Sequence, residues 1–337
     1  MFEKSFSTPE QEKPVETKII LEILRHGKKE SDKTKTDEEL RLTEEGRKMS
    51  QEKGSALSPQ AEVSVGFGSS KKRAQETALR VMLPEINENT SLEEIEKMIS
   101  NEIKVGKKLV EDERLDYDFD GPEGKEVVEA FKVGQYFQYM LEKSDQRAIE
   151  LGDEISSTYS RLAGNIAEII NKYAIIGNNF NRIASEKHDY EKFGNRLERY
   201  LGSHSGVIEP FVARILEETR GKEARDEFID SVGNGFKETE GIHVEVINKG
   251  AEQKIVMTYK VDNRVENLEI SKELLEKIIN EREEFEKMVQ RLEGEKMTTE
   301  IDYSGIPPHM LESIQGYIEE GQPVGGFLST LLANDLV

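Results

Sequence analysis

Three short stretches of the chain place imidazole and guanidinium groups where an apolar run stops. The first is "IILEILRHGK" over residues 19–28, which ends on Arg25, His26 and Gly27. The second, "EVSVGFGSSKKRAQETA" over 62–78, passes through Ser69 and Ser70 to Arg73; the third, "LERYLGSHSG" over 197–206, ends on His204 and Gly206. A lone histidine at a strand end is ordinarily an incidental polar residue. Two histidines and two arginines gathered at one sheet edge would be a different matter. Imidazole can act as nucleophile or proton carrier, and guanidinium is a fork of donors that stays charged at any working pH. Loops that follow parallel strands converge on one crevice, so these groups meet if their strands are neighbours.

The elements needed to position them are readable. Residues 18–24 form a short β-branched and leucine-rich strand. After a polar loop, "LTEEGRKMSQEKGSAL" reads as a helix with Thr43 as N-cap and acids in its first turn. Residues 62–68 are a second strand running into the helix "KKRAQETALRVML", which Pro84 closes. Residues 197–203 are a third strand, followed by "VIEPFVARILEET" as a helix. The order β, α, β, α with short links predicts a mostly parallel sheet in a three-layer helix/sheet/helix sandwich. Residues 85–196 are mostly helical and polar and read as a cap inserted between the second helix and the third strand. Residues 242–248 and 254–261 alternate and suggest a hairpin, and 271–292 an amphipathic helix. The expected organisation is a disordered lead-in over 1–17, one α/β domain over 18–295 and a helical appendage over 296–337.

Composition narrows the classes. The 337 residues carry a net charge of −21, which repels nucleic acid and anionic membrane over most of the surface. Against that background the basic clusters "RHGKK" and "SSKKR" are informative. No apolar run approaches the roughly 18 residues of a membrane span, and the first residues lack the apolar centre of a signal peptide. There are no cysteines, which excludes disulfides and thiolate metal sites and fits a cytoplasmic protein. The five histidines are scattered without a paired-ligand motif, so neither a metal nor a cofactor is expected.

The series "LRHGKKE", "LRLTEEGRKMSQEKG", "GSSKKRAQETA" and "YLGSHSGVIEPFV" resembles the histidine phosphatase superfamily, with its phosphoglycerate mutase-like fold. The likeness is dense over 19–83, moderate over 199–215 and thin elsewhere. It implies that His26 is a nucleophile and that Arg25, Arg73 and His204 complete a phosphate pocket. The implied activity is a metal-independent phosphomonoesterase acting through a phosphohistidine on a small-molecule phosphate ester. The chemistry is coherent in itself. A neutral imidazole nitrogen can attack phosphorus, and phosphoryl transfer asks mainly for positioning and charge neutralisation. A protonated His204 would add a donor, and the Gly27 carbonyl could hold the other nitrogen of His26.

A general acid for the leaving group is also expected. The resemblance implies a glutamate in the loop that here reads "DERLDYDFDGPEG", but one alignment puts Tyr117 at its position. Asp118 is favoured, with Asp116 and Glu113 as alternatives. Ser205 after the distal histidine argues against the branch of the superfamily that carries an aspartate there. Lys71 and Lys72 read as solubility residues. Lys28 and Lys29 either attract a polyanion or screen the acidic surface, and His188, His243 and His309 read as structural or exposed. A phosphomutase, or a catalytically silent domain that binds a phosphorylated ligand or protein, are the alternatives.

Overall fold

The computed structural model describes residues 15–61, 63–101, 107–186, 195–262 and 264–299. The expected lead-in up to residue 14, the appendage beyond 299, His188 and His309 lie outside the described residues. The chain forms two compact units, Met1–Val289 and Gln290–Val337; the sheet and every candidate site residue belong to the first. Among the described residues no helix is long and apolar enough to cross a membrane.

In chain order the elements are β1 (Glu16–Arg25), α1 (Glu44–Leu57), β2 (Ser64–Gly68), α2 (Lys72–Met82), α3 (Leu92–Asn101) and β3 (Lys107–Glu111). A 3-10 turn at Glu113–Leu115 leads to α4 (Gly124–Lys132), α5 (Tyr136–Tyr139), α6 (Asp145–Leu151) and α7 (Tyr159–Glu186). Then come β4 (Arg196–Ser203), α8 (Glu209–Arg220), α9 (Lys222–Val232), β5 (Gly241–Lys249), β6 (Glu252–Val261), β7 (Arg264–Ile270) and α10 (Lys272–Thr299).

The seven strands form one sheet in the order β3-β2-β4-β1-β5-β6-β7. β1 is central and covered on both faces, which explains its unbroken apolar run. Ile19, Leu21 and Ile23 enter the main core with Ile166 and Ile170 of α7 and Phe211 and Ile215 of α8. Leu24 joins Leu79 and Met82 of α2 and Tyr200 of β4 in a second cluster. Thr43 caps α1 as expected, its hydroxyl accepting the Gly46 N–H at 3.1 Å.

Three details differ from the expectation. The sheet is mixed: β3-β2, β2-β4 and β4-β1 pair in parallel, whereas β1-β5, β5-β6 and β6-β7 are antiparallel. Links as short as the Gly250–Ala251 turn, with Gly250 at φ 61°, can only fold a strand back on its predecessor. The segment between α2 and β4 is not wholly helical, because β3 adds an edge strand to β2. Finally, β1 begins at Glu16, so the end of the expected lead-in is strand, with Thr17 fully buried.

Candidate active site

The parallel half of the sheet brings the three stretches together. Arg25 of β1 is in register with Ser203 of β4, and Gly68 of β2 with Gly202. β1 leaves the sheet through His26, whose N–H donates to the Ser203 carbonyl at 2.8 Å. Gly27 then passes so close to α1 that a Cβ there would meet the Gly46 carbonyl oxygen at 2.6 Å. Only glycine permits that approach. The Gly27 N–H donates to Thr77 Oγ1 of α2 at 3.0 Å.

His26 is buried and its Nδ1 lies 2.7 Å from the Gly27 carbonyl oxygen. A carbonyl only accepts, so Nδ1 carries the hydrogen and Nε2 keeps its lone pair. Arg73 Nε donates to that Nε2 at 3.2 Å. Burial pushes the imidazole down to about 3, and the positive charges of Arg73, Arg25 and Lys29 act in the same direction. His26 is therefore neutral throughout the working pH range.

His204 stands edge-on to His26, with ring centroids 5.2 Å apart. Its Nε2 shares a hydrogen with Ser69 Oγ at 2.7 Å, while Nδ1 is buried without a hydrogen-bond partner among the described residues. Burial, with the nearby charges of Arg73 and Lys71, holds its proton affinity well below that of a free histidine. A ring so placed is neutral in the substrate-free protein. Arg25 Nη1 donates to the Phe236 carbonyl at 2.6 Å, and its Nη2 lies 3.7 Å from Glu238. Its Nε is buried without a partner among the described residues.

The acids fall out differently from the sequence order of preference. Asp118 and Glu113 are exposed, and the Asp118 carboxylate accepts the Asp120 N–H at 2.8 Å. Among the described residues neither hydrogen-bonds to His26, Arg73 or His204. Asp116 does reach the site: Oδ1 is 2.5 Å from Lys71 Nζ and 3.6 Å from His204 Nε2, and Oδ2 accepts from Ser70 Oγ at 2.5 Å. The loop geometry explains this. The 3-10 turn ends with the Asp116 N–H on the Glu113 carbonyl, and from there Asp116 and Tyr117 both reach the cluster while Asp118 stays exposed.

Two participants were missed in the sequence. Lys71, read as a solubility residue, is buried on Asp116 and stands over the Tyr117 ring at 4.3 Å. Asp37, from the polar loop between β1 and α1, accepts from Arg73 Nη2 at 2.8 Å, from Tyr117 Oη at 2.9 Å and from Lys29 Nζ at 3.2 Å. Its backbone carbonyl takes Arg73 Nη1 at 2.5 Å. Burial alone would raise the Asp37 carboxyl, but Arg73, Tyr117 and Lys29 outweigh it and hold it well below the usual range. Nothing in the local pattern marks this aspartate. Lys28 is paired with Glu45, so neither lysine beside the RHG stretch is free.

No protein-family model matches the chain, and no curated protein is significantly similar to it. Solved structures that resemble it include hydrolases and phosphatases at 11–14% identity. Mycobacterial hydrolase 2 is 14% identical, covering 79% of this chain and 98% of its own, with a TM-score of 0.39. Mycobacterial glucosyl-3-phosphoglycerate phosphatase is 12% identical, covering 74% and 98%, with a TM-score of 0.37. Phosphoserine phosphatase of Entamoeba histolytica is 12% identical, covering 77% and 99%, with a TM-score of 0.32.

Proposed function

We propose that the chain is a phosphomonoesterase that needs no metal and works through a phosphohistidine on His26 Nε2. The observation that carries this reading is the fixed tautomer of a neutral His26, with its Nε2 lone pair against Arg73 and the His204 ring beside it, centroids 5.2 Å apart. In the reaction, Arg73 gives up Nε2 and turns its donors to the phosphate oxygens. Arg25 and His204 supply further donors from Nε and Nδ1, both buried and without partners among the described residues. Nε2 attacks phosphorus as the ester oxygen leaves, and water then attacks the phosphohistidine to release phosphate. The accumulated positive charge acts on the equatorial oxygens, where charge is spread in the transition state.

The substrate class in this reading is a small phosphate ester. The segment between α2 and β4 acts as a cap that selects it. Support comes from Tyr136, whose hydroxyl donates to the Gly206 carbonyl at 3.1 Å and so touches the His204 loop.

The test is hydrolysis of p-nitrophenyl phosphate in EDTA by the unaltered protein and by His26→Ala, with trapping of an acid-labile phosphoenzyme. Chelator-resistant turnover and trapped phosphate, both lost in the variant, are expected. Turnover that survives His26→Ala, or that needs added metal, overturns the reading.

A further inference from the structure

We infer that Asp37 protonates the leaving oxygen of the phosphate ester and that Tyr117 holds it in place; the inference rests on the phosphohistidine reading above. Alkoxide and phenolate leaving groups need a proton as the P–O bond breaks, and the donor must lie within reach of the phosphate. The acids of the 113–118 loop do not meet that requirement. Asp118 and Glu113 are exposed away from the cluster, and Asp116 is committed to Lys71 and Ser70. Asp37 is the carboxylate on the Arg73 guanidinium itself, and its backbone and side chain together occupy both Nη groups.

That position couples protonation to binding. A phosphate that takes the Nη groups of Arg73 removes the main counter-charge of Asp37 and sets a dianion beside it. Both changes raise the proton affinity of the carboxylate. Asp116 undergoes no such exchange, since Lys71 stays with it. The ester enters as its monoanion and surrenders its proton to Asp37 as it becomes dianionic on Arg73. Nε2 of His26 then bonds to phosphorus, the P–O bond breaks, and the alcohol leaves with the proton of Asp37. In the second step Asp37 takes a proton from the attacking water as the N–P bond breaks, and phosphate departs with that proton as its monoanion, leaving Asp37 ionised again. Asp37 is 37% exposed, which leaves it open to the water this step consumes. Tyr117 is a positioning residue: its hydroxyl donates to Asp37 Oδ2 and its ring stacks on Phe119, with centroids 5.2 Å apart.

The test compares Asp37→Asn with the unaltered protein on phenyl phosphate and p-nitrophenyl phosphate. These esters have nearly the same shape, but p-nitrophenolate leaves readily without a proton. The rate of phosphoenzyme formation from phenyl phosphate should fall on the order of 100-fold, within the range of general acid catalysis, and that from p-nitrophenyl phosphate far less. Phosphoenzyme should still be trapped with the nitrophenyl ester, which shows that the variant is folded. Tyr117→Phe should give the same leaving-group pattern with a smaller loss. An equal loss in the phosphorylation rate of both esters overturns the inference, as does faster phosphorylation by both, which would make Asp37 a plug on Arg73. Absence of turnover and trapped phosphate in the unaltered protein overturns the parent reading and this one with it.

Discussion

Thr77 ties the backbone of Gly27 to the helix that carries Arg73. Its hydroxyl accepts the Gly27 N–H at 3.0 Å and donates to the Arg73 carbonyl at 2.8 Å. The loop beneath His26 and the first turn of α2 are therefore fixed against each other through one oxygen atom. Thr77→Val keeps the shape but leaves a buried N–H unpaired, which costs roughly 1–3 kcal/mol. The urea midpoint should fall accordingly, and Thr77→Ser should retain most of the stability.

The low proton affinity of His26 has a spectroscopic consequence. A histidine at about 3 does not titrate where free histidine does. In the substrate-free protein the ring resonances of His26 should stay constant between pH 5 and 8, in the Nδ1–H tautomer. A midpoint near 6.5 would contradict the burial and charge environment described above.

On the central strand pair, His243 of β5 faces Glu22 of β1 in register, and its Nδ1 bonds the buried Glu22 carboxylate. Burial alone would lower the histidine, but Glu22, aided by Glu245, raises it above the ordinary 6.5. The stabilisation from this pair is complete below 6.5 and is lost as pH rises through the raised value. Thermal midpoints should therefore decline on the alkaline side. Glu22→Gln should remove this component, and an unchanged pH profile in that variant would refute the assignment.

Glu123 should act with the same sign over a different interval. It is fully buried, and burial pushes its carboxyl from 4.5 up to about 8, with the Asp153 and Asp145 charges adding to the rise. The folded state holds the proton more tightly, so stability is lost between those two values as pH increases. Glu123→Gln should flatten the decline between pH 5 and 8 in thermal melts.

The residues that could be read in the sequence were those whose signals are local. The Thr43 cap, the apolar run of β1 and the strand-to-helix passage through Ser69 and Arg73 depend on neighbours within a few positions. β7 and β3 escaped because each is an edge strand with few buried side chains; only Leu268 and Ile270 of β7 are buried. In the acid loop Asp116 bonds Lys71 and Ser70 while Asp118 stays exposed, a difference that residue types do not encode. Asp37 could not be found by pattern at all. Its partners lie 36 and 80 positions away, and it sits in a polar loop that resembles any other. Lys71 was misread for the complementary reason, since a KKR run gives no sign that one lysine is buried.

The strand order also sets a schedule for folding. β1 carries the proposed nucleophile at its end and is the first element among the described residues, yet its neighbours in the sheet are β4 and β5. Its lateral hydrogen bonds therefore wait for residues 196–249 to be synthesised. β2 and β3 can pair earlier, but β4 must enter the gap between β2 and β1 before His204 reaches His26. Such long-range pairing is slow and exposes unpaired strand edges meanwhile. The pocket is thus completed late, and a chain cut short before β4 would emerge with its most apolar strand unpartnered and no site.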